Sequence, residues 1–515
     1  MAIEKASDGD TVIVQNGTYH ENINFSGKRV LVSSYFLIDN DTTHITNTII
    51  SGSQSDSGSV VLFDSGEDST STLLGFTITM GKGTKIQKIT YYGETLDFLA
   101  GGGIVCLNSS PKIIHNHIIK NVADRGGGVY IDSSEAIIKK CRLKANESVE
   151  GGGFFACCSN FQFVDNKLSG NMANWQGGGI YVAEIDGPNT IINKNVLWDN
   201  SSKDHGGAIL IADDLDFNAK VSENLIKSNR SGMGGAGIYC RDSSPIISKN
   251  VIINNVAEGW TGGGIRCVRS GALIVNNTLN GNGSFGGGGG GGIYFLGDAP
   301  DQRPIPSILN NIITNSQGKW GIFCNSDTSL IAYNDVWNSV GGDISCSTNF
   351  LNISTDPLFI DPSEDNFDLQ PSSPCIDSGT STFVVGEDTL LIIPDSSFVG
   401  SAPDIGAFEF DSPVFVANEP TPNLDFTLFQ NYPNPFNSST TIKYFLTKSS
   451  KITLTIYNTL GQEVRTLVQQ FQGAGMNTTI WDGKDNDGNT VTSGLYIYRL
   501  RAQNKTIQRK MLFLE

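Results

Sequence analysis

The stretch GNGSFGGGGGGGIYFLG, residues 281–297, sets seven consecutive glycines, Gly286 to Gly292, against the apolar run Ile293-Tyr294-Phe295-Leu296. A flexible linker would be flanked by Ser- or Pro-rich filler, and a phosphate-cradling loop would lead into a helical pattern. The apolar run after the glycines reads instead as a short strand, so recurrence elsewhere has to decide what the glycines do. They do recur: GGGI begins at Gly101, Gly177 and Gly262, GGGV at Gly126 and GGGF at Gly151. Degenerate forms are GGAI at Gly206, GGAGI at Gly234 and WGI at Trp320. The apolar residue after each cluster is Ile104, Val129, Phe154, Ile180, Ile209, Ile238, Ile265, Ile293 and Ile322, a beat of 25 to 29 residues.

A second marker keeps the same beat. Segments such as IIHNHI, FVDNKL, INKNVL and ISKNVI place an asparagine at 116, 166, 195, 224, 250, 277, 311 and 334, with Cys141 in the missing place. Periodicity of this size means stacked repeats. The segments are short, β-branched and separated by Gly, Asn and Asp, with no helical period. A unit of this length with two or three short strands is one coil of a parallel β-helix, hydrogen-bonded to the coils above and below. Asparagines buried at a turn then bond along their column. Glycines serve where φ is positive or backbones approach closely. The seven-glycine run is therefore the padded turn of one rung.

Composition narrows the function classes. The 515 residues allow two or more domains, and 59 glycines without a Gly-X-Y period exclude collagen. Lys+Arg total 35 against Asp+Glu 52, a net charge of −17. That balance repels nucleic acid and anionic membranes, and it disfavours acidic polymers unless a divalent cation bridges the charges. No apolar run approaches the roughly 20 residues needed to span a bilayer. The opening MAIEKASDGDTVIV lacks the basic and apolar regions of a signal peptide. Of nine cysteines, most sit in apolar strand-like contexts and read as small buried hydrophobes; a Cys346–Cys375 disulfide is compatible with the spacing. No Cys/His spacing resembles a zinc site.

GDTVIVQNGTYHENI, residues 9–23, resembles the opening coil of pectin-lyase-like right-handed parallel β-helix proteins, and the later coils resemble their generic repeats. The segments 353–380 and 403–410 (PDIGAFEF) are similar to the closing segment of a secreted bacterial subfamily. Residues 1–411 are thus expected to form a right-handed parallel β-helix with a closing segment. The Pro-rich residues 412–424 are expected to be a linker, and 425–515 a small antiparallel, Ig-like sandwich. Within that sandwich NYPNPFN, IYNTLGQEV, WDGKDNDGN and SGLYIYRL resemble the C-terminal sorting domain of type IX secretion cargo in Bacteroidota and their relatives. The resemblance implies export to the cell surface or medium through the type IX machinery. Such cargo carries a Sec signal peptide, so the start is expected to be truncated or misplaced. The carboxylates Asp482, Asp485 and Asp487 suggest calcium, but they lack the complete EF-hand pattern and suit a plain hairpin turn.

With the coils aligned, the position after the apolar anchor reads Val105, Tyr130, Phe155, Tyr181, Leu210, Tyr239, Arg266, Tyr294, Phe323. The next reads Cys106, Ile131, Ala156, Val182, Ile211, Cys240, Cys267, Phe295, Cys324. Strand alternation points the two columns opposite ways, and the smaller, more uniform second column is expected inside. The first becomes an outward aromatic stripe. Tyr130, Phe155, Tyr181, Tyr239 and Tyr294, with Trp175 and Trp260 nearby, are candidates for stacking on a polysaccharide, although rings in such a stripe also stack on each other or lie beneath loops. Charged residues follow the stripe (Asp132, Glu184, Asp213, Arg241, Asp242, Arg269), and Asp204-His205 and Asp124-Arg125 precede it. Lyases of the resembled fold abstract a proton α to a uronate carboxyl with Lys or Arg, often with Ca²⁺ as carboxylate neutraliser. Arg241, Arg269, Asp213 and Asp242 are the candidate catalytic set, with Asp213 and Asp242 as the pair a hydrolase would need. The same residues also suit ordinary coil corners. The tightly spaced motifs of pectate lyases and polygalacturonases are not found, so the resemblance carries no catalytic residue across. The expectation is an exported protein that binds, and as a lyase cleaves, polysaccharide; the alternative is a non-catalytic surface adhesin or structural protein binding through the same face.

Overall fold

The structure, a computed structural model, describes residues 2–513 apart from 55–56, 90–94, 186, 188, 213–218, 260, 287–288, 298–305, 326–328, 348, 386–387, 411–425, 429–430, 432–435, 447, 459–460, 474 and 503–504. The chain divides into two compact units, 1–412 and 413–515. The first is a right-handed parallel β-helix of about eleven turns. The coils contribute short strands to three long parallel sheets, of eleven, thirteen and twelve strands; a fourth, six-stranded sheet bridges the middle coils. In the coil that begins at Ile104 the strands are Ile104–Leu107, Lys112–Ile114 and His117–Ile119, one for each long sheet. The glycine-following residues pair in register from Ile104 through Val129, Phe154, Ile180, Ile209, Ile238, Ile265 and Ile293 to Ile322. The repeat read from the sequence is therefore the rung-to-rung register of the eleven-stranded sheet.

Two buried asparagine ladders run through the corners. One is the expected column, in which Asn195 Nδ2 donates to Asn224 Oδ1 and Asn224 Nδ2 to Asn250 Oδ1, both at 2.9 Å. It continues through Asn277, Asn311 and Asn334 to Asn352. Cys141 does take the vacant place, its Sγ accepting from Asn116 N while its own N–H donates to Asn166 Oδ1. The second ladder, Asn121, Asn146, Asn171, Asn200, Asn229, Asn255 and Asn282, stands one corner further on and is built the same way.

Glycine supplies the positive φ at one corner of successive coils. Gly101, Gly126, Gly151, Gly177, Gly206, Gly235 and Gly262 have φ between 55° and 70°. At the ladder corners the left-handed residue is mostly not glycine: His115, Lys140, Asp165, Lys194, Glu223 and Lys249 have φ of 54° to 58°, each just before a ladder position, while Gly170 and Gly281 precede second-ladder asparagines at 59° and 64°. The other glycines in each cluster are needed for close approach. A Cβ on Gly178 would lie 2.3 Å from Ser201 O and 2.5 Å from Gly207 O.

Inside the helix, Cys106, Ile131, Ala156, Val182, Ile211, Cys240, Cys267, Phe295 and Cys324 join one continuous apolar core, as the alternation predicts. Cys324 is disulfide-bonded to Cys346. The Cys346–Cys375 link that the sequence allows is not formed. Ile322 bridges Ile344 in parallel register, which sets Cys324 beside Cys346, whereas Cys375 is buried with its Sγ donating to Asp335 Oδ2 at 3.2 Å. The closing segment wraps the outside of the late coils. Phe383 and Leu391 cover Val275, Leu309 and Ala332, and Phe367 and Ala407 cover Val251 and Ile253.

The second unit has a three-stranded and a four-stranded antiparallel sheet sharing a core of Trp481, Tyr498, Phe436, Ile442 and Leu454. The residues 412–424 expected as a linker lie outside the described residues. No helix among the described residues is long and apolar enough to cross a membrane.

Asn224→Ala leaves Asn195 Nδ2, Asn195 N and Ile192 O without their buried partner. The expected loss is roughly 3 kcal/mol. It is read as a lowered urea midpoint of the helix transition, against a change within about 0.5 kcal/mol for exposed Lys167→Ala.

Candidate functional site

Three columns of side chains make the outer face of the eleven-stranded sheet. Two residues beyond the anchor-following column stand Leu107, Asp132, Cys157, Ala183, Ala212, Arg241 and Val268. Across the glycine corner stand Ala100, Arg125, Glu150, Gln176, His205, Gly234 and Thr261. Between them lies the aromatic stripe.

The stripe points outward but is not offered to solvent. Tyr130, Phe155, Tyr181, Tyr239 and Tyr294 are 0%, 2%, 6%, 3% and 8% exposed, so they form no open stacking platform. Burial is achieved in two ways. An antiparallel hairpin, Thr84–Ile89 with Thr95–Ala100, lays Phe98 over Tyr130 at 5.8 Å between ring centroids. Neighbouring rungs cover the rest, Tyr130 stacking on Phe155 at 5.4 Å and Tyr294 on Phe323 at 5.2 Å. Trp175 differs: it is 49% exposed, on backbone whose carbonyl accepts from Asp204 N. Trp260 lies outside the described residues.

At the middle coils the stripe meets a polar cluster. The His205 ring stacks on Tyr239, with centroids 4.3 Å apart and planes within 5°. Its Nε2 is 3.6 Å from Asp204 Oδ1, and Asp204 Oδ2 accepts from Gln176 Nε2 at 2.8 Å. Arg266 interrupts the aromatic column and lies between the Tyr239 and Tyr294 rings, 5.7 Å from each centroid. Its Nη1 approaches His205 Nδ1 at 3.5 Å, and its Nε is buried without a hydrogen-bond partner. Among the described residues Arg266 has no ion pair. Burial, with help from Arg266 and Arg241, pulls His205 down to about 4, against the opposing Asp204 carboxylate, so the imidazole is neutral at neutral pH. Burial pushes Tyr239 above its ordinary value, which keeps its hydroxyl protonated. Glu150 is also raised by burial, an effect limited by Arg125, whose Nε lies 2.7 Å away, and by Arg241.

Three of the four candidate catalytic residues come together at the next corner. Arg269 grips Asp242 through two bonds, Nε to Oδ1 at 2.8 Å and Nη2 to Oδ2 at 2.6 Å. Arg241 Nε stands 3.9 Å from Asp242 Oδ2. Asp242 and Arg269 both occupy the left-handed corner position, with φ of 48° and 47°. Asp213 lies outside the described residues. In the second unit, Asp485 Oδ1 accepts from the backbone of Asp487 and Asn489, and Asp482 pairs with Arg465, as a plain turn requires. Among the described residues one group brings three metal-ligating side chains together, Asp132 with Cys157 and Cys158. A cavity of about 570 Å³ opens among the first coils, beside Ile3, Val12, Tyr19 and Ile50, and gathers none of the candidate residues.

Residues 7–196 match the family model described as the right handed beta helix region, and residues 436–506 match the FlgD Ig-like domain. No curated protein matches the chain. Among solved structures, the chain is similar to the PL6 family alginate lyase AlyGC at 16% identity, over 72% of this chain and 54% of that one, with a TM-score of 0.29. It is similar to PorZ, an essential bacterial surface component of the type-IX secretion system of Porphyromonas gingivalis, at 20% identity over 17% of this chain and 11% of that one, with a TM-score of 0.14. The Dettilon tailspike protein aligns at 10% identity over 92% of this chain and 81% of that one, with a TM-score of 0.22. The chain thus spans about half the length of the alginate lyase chain and about a tenth of PorZ.

Sequence reasoning passed over His205 and Arg266 as site residues. The signal was present in the column itself, where one arginine replaces an aromatic between Tyr239 and Tyr294. His205 has a folded value near 4 against 6.5 for the free side chain, so below about pH 6.5 the unfolded chain binds a proton that the folded chain refuses. Stability is therefore expected to fall as pH drops from about 6.5 to 4, by an amount approaching about 3 kcal/mol. His115 and His117, lowered by burial, add to the same slope. Comparing urea unfolding of wild type and His205→Gln at several pH values isolates the His205 share, which the variant should lack.

Proposed function

We propose that the chain is an exported β-helix protein that binds an acidic polysaccharide on the outer face of the eleven-stranded sheet and cleaves it by β-elimination. The observation that carries this reading is Arg266. A half-buried guanidinium without an ion pair among the described residues, with one donor unsatisfied, is costly unless something anionic completes it. A uronate carboxylate fits, since a planar fork binds it through two bonds and lowers the barrier to losing the neighbouring proton. Neutral His205 is available to take that proton. The C5–H bond breaks, the electron pair forms the C4–C5 double bond, and the C4–O glycosidic bond breaks. Tyr239, held protonated, supplies the proton to the departing oxygen. Trp175 at the rim offers the exposed ring on which a neighbouring sugar stacks.

Arg241 belongs to this set by its influence on His205, Tyr239 and Glu150. Arg269 is assigned to holding Asp242, because a guanidinium in a two-bond carboxylate contact stays charged and is no base. The same contact makes Asp242 a poor general acid, which weighs against the hydrolase pairing with Asp213. For residues 425–515 the proposed role is type IX sorting, supported by the sequence resemblance and by the Ig-like sandwich those residues form.

The test is product formation from a panel of uronate and neutral polysaccharides, with and without Ca²⁺, following unsaturated-product absorbance and reducing ends together. One uronate is expected to give both signals. Arg266→Ala is expected to lower kcat/KM on the order of 10²-fold, with His205→Gln lower still, while Arg269→Ala changes it far less. Reducing ends without absorbance would mean hydrolysis. No product, with retention on glycan gel that Arg266→Ala abolishes, would mean a binding protein; no product and no retention would refute the polysaccharide reading. Deleting residues 425–515 is expected to abolish appearance of the protein outside cells of a type IX host, as seen by immunoblot of medium and periplasm.

A further inference from the structure

We propose that Cys157 and Cys158, with Asp132 and Glu184, form a chelating site for a thiophilic divalent cation of the Zn²⁺ class. The site stands three coils before Arg241 on the same sheet face, since Cys157 pairs in sequence with Ala183, Ala212 and Arg241. It does not depend on the lyase reading.

Neighbouring residues on a strand point to opposite faces, so two adjacent cysteines ordinarily separate, one in and one out. Here they do not. Cys157 occupies the outward column between Asp132 and Ala183. Cys158 stands at the corner that Ser133 and Glu184 also use, with φ of 49°, and that left-handed turn swings its side chain back to the outer side. The two Sγ atoms end 3.2 Å apart. Glu184 Oε2 lies 3.1 Å from Cys158 Sγ and 3.8 Å from Cys157 Sγ. One ligand atom from each of Asp132, Cys157 and Cys158 falls within 4.8 Å of the others. Tyr130 O–H donates to Asp132 Oδ2 at 3.1 Å and orients that carboxylate from behind, as outer-shell partners of metal ligands do.

A second observation marks the point between these atoms as a cation position. Lys88 reaches in from the covering hairpin and sets its ammonium 3.1 Å from Asp132 Oδ2, 3.1 Å from Cys157 Sγ and 3.5 Å from Cys158 Sγ. Three ligand atoms of this site already converge on one positive charge. A metal bonds more closely, at about 2.3 Å to sulfur and about 2.0–2.2 Å to oxygen, so the sulfurs must part by roughly half an ångström as the ion enters and the ammonium withdraws. The donor set selects the cation: thiolates reject Ca²⁺ and Mg²⁺, and two sulfurs with the Asp132 carboxylate suit a tetrahedral d¹⁰ ion, whose fourth position Glu184, beside the sulfurs but outside that group, would fill by moving in. Binding releases the thiol protons to solvent and consumes no oxidant.

The test uses the full chain, reduced with a phosphine and freed of metal, titrated with Cd²⁺ as a probe with a sulfur-to-metal charge-transfer band. One equivalent is expected to develop the band, and Zn²⁺ to displace it. Cys158→Ser, at the half-exposed position, should weaken binding by more than about 100-fold, beyond the loss typical of outer-shell partners. Cys375→Ser, at a buried thiol elsewhere, should leave the band intact. Lys88→Met should tighten binding by removing the competing ammonium, a gain that a nonspecific thiol site would not show. No band in the reduced wild type, or a band unchanged in both Cys158→Ser and Lys88→Met, overturns the proposal. Mass spectrometry showing Cys157 joined to Cys158 as a disulfide in protein recovered from its native host would also overturn it.

Discussion

Everything in the first unit depends on hydrogen bonding between successive coils at their corners. A coil that turns three times within 25 to 29 residues needs non-glycine residues with positive φ, at a cost of order 1 kcal/mol or more each. The asparagine ladders offset that cost. From Asn195 through Asn224 to Asn250 one carboxamide oxygen accepts both the backbone N–H and the side-chain Nδ2 of the preceding rung, and its own Nδ2 donates onward. A side chain without this geometry would leave buried donors and acceptors unmatched in every coil. The ladders therefore set the pitch at the two corners they occupy, and the strands between them need only be apolar on the inside.

Because pitch and core are settled by inward-facing residues, the outward columns are free to differ from rung to rung. The middle of the eleven-stranded sheet shows the effect. Within a few coils the outer column passes from Tyr130 and Phe155 to Tyr239, Arg266 and Tyr294, with no break in backbone register. Side chains 25 to 61 residues apart in sequence become neighbours one or two rungs away, as His205 and Arg266 do. Chemistry is assembled along the stack rather than within a loop, and so no compact sequence motif announces it.

That distinction explains why some features were legible in the sequence and others were not. Ile104 through Ile322 and the asparagines from 116 to 334 repeat, and repetition survives without coordinates. The second ladder, Asn121 to Asn282, kept the same beat but sits among variable neighbours (Val122, Ser201, Arg230), which hid it. Alternation correctly separated the Cys106 column from the Tyr130 column, yet outward direction is not exposure. The hairpin bearing Phe98 is a local insertion outside the repeat, and nothing in the periodicity says where it folds. Cys324 with Cys346 likewise depended on a bridge between Ile322 and Ile344 that no spacing rule contains. Arg241, Asp242 and Arg269 do lie together, but which charges neutralise one another is decided by side-chain geometry alone.

The remaining tension is between a chain of net charge −17 and a site read as receiving an anion. Screening resolves it, because exposed charges beyond a Debye length of about 8 Å contribute little at physiological salt, whereas half-buried ones act on their neighbours nearly undamped. Around His205 the nearby cations Arg266 and Arg241 oppose one close carboxylate, Asp204, and burial tilts the balance further against a charged imidazole. The pairs Arg125–Glu150 and Arg269–Asp242 cancel internally. Arg266 is then the charge whose compensation must come from outside the described residues. Stacking between two tyrosines lowers the cost of holding it there, since the ring faces carry negative charge, but it leaves the buried Nε without a hydrogen-bond acceptor. On the proposed reading an acidic surface would keep such a site selective, because an anionic polymer would be repelled from the surface at large and gain only where a carboxylate seats against that arginine.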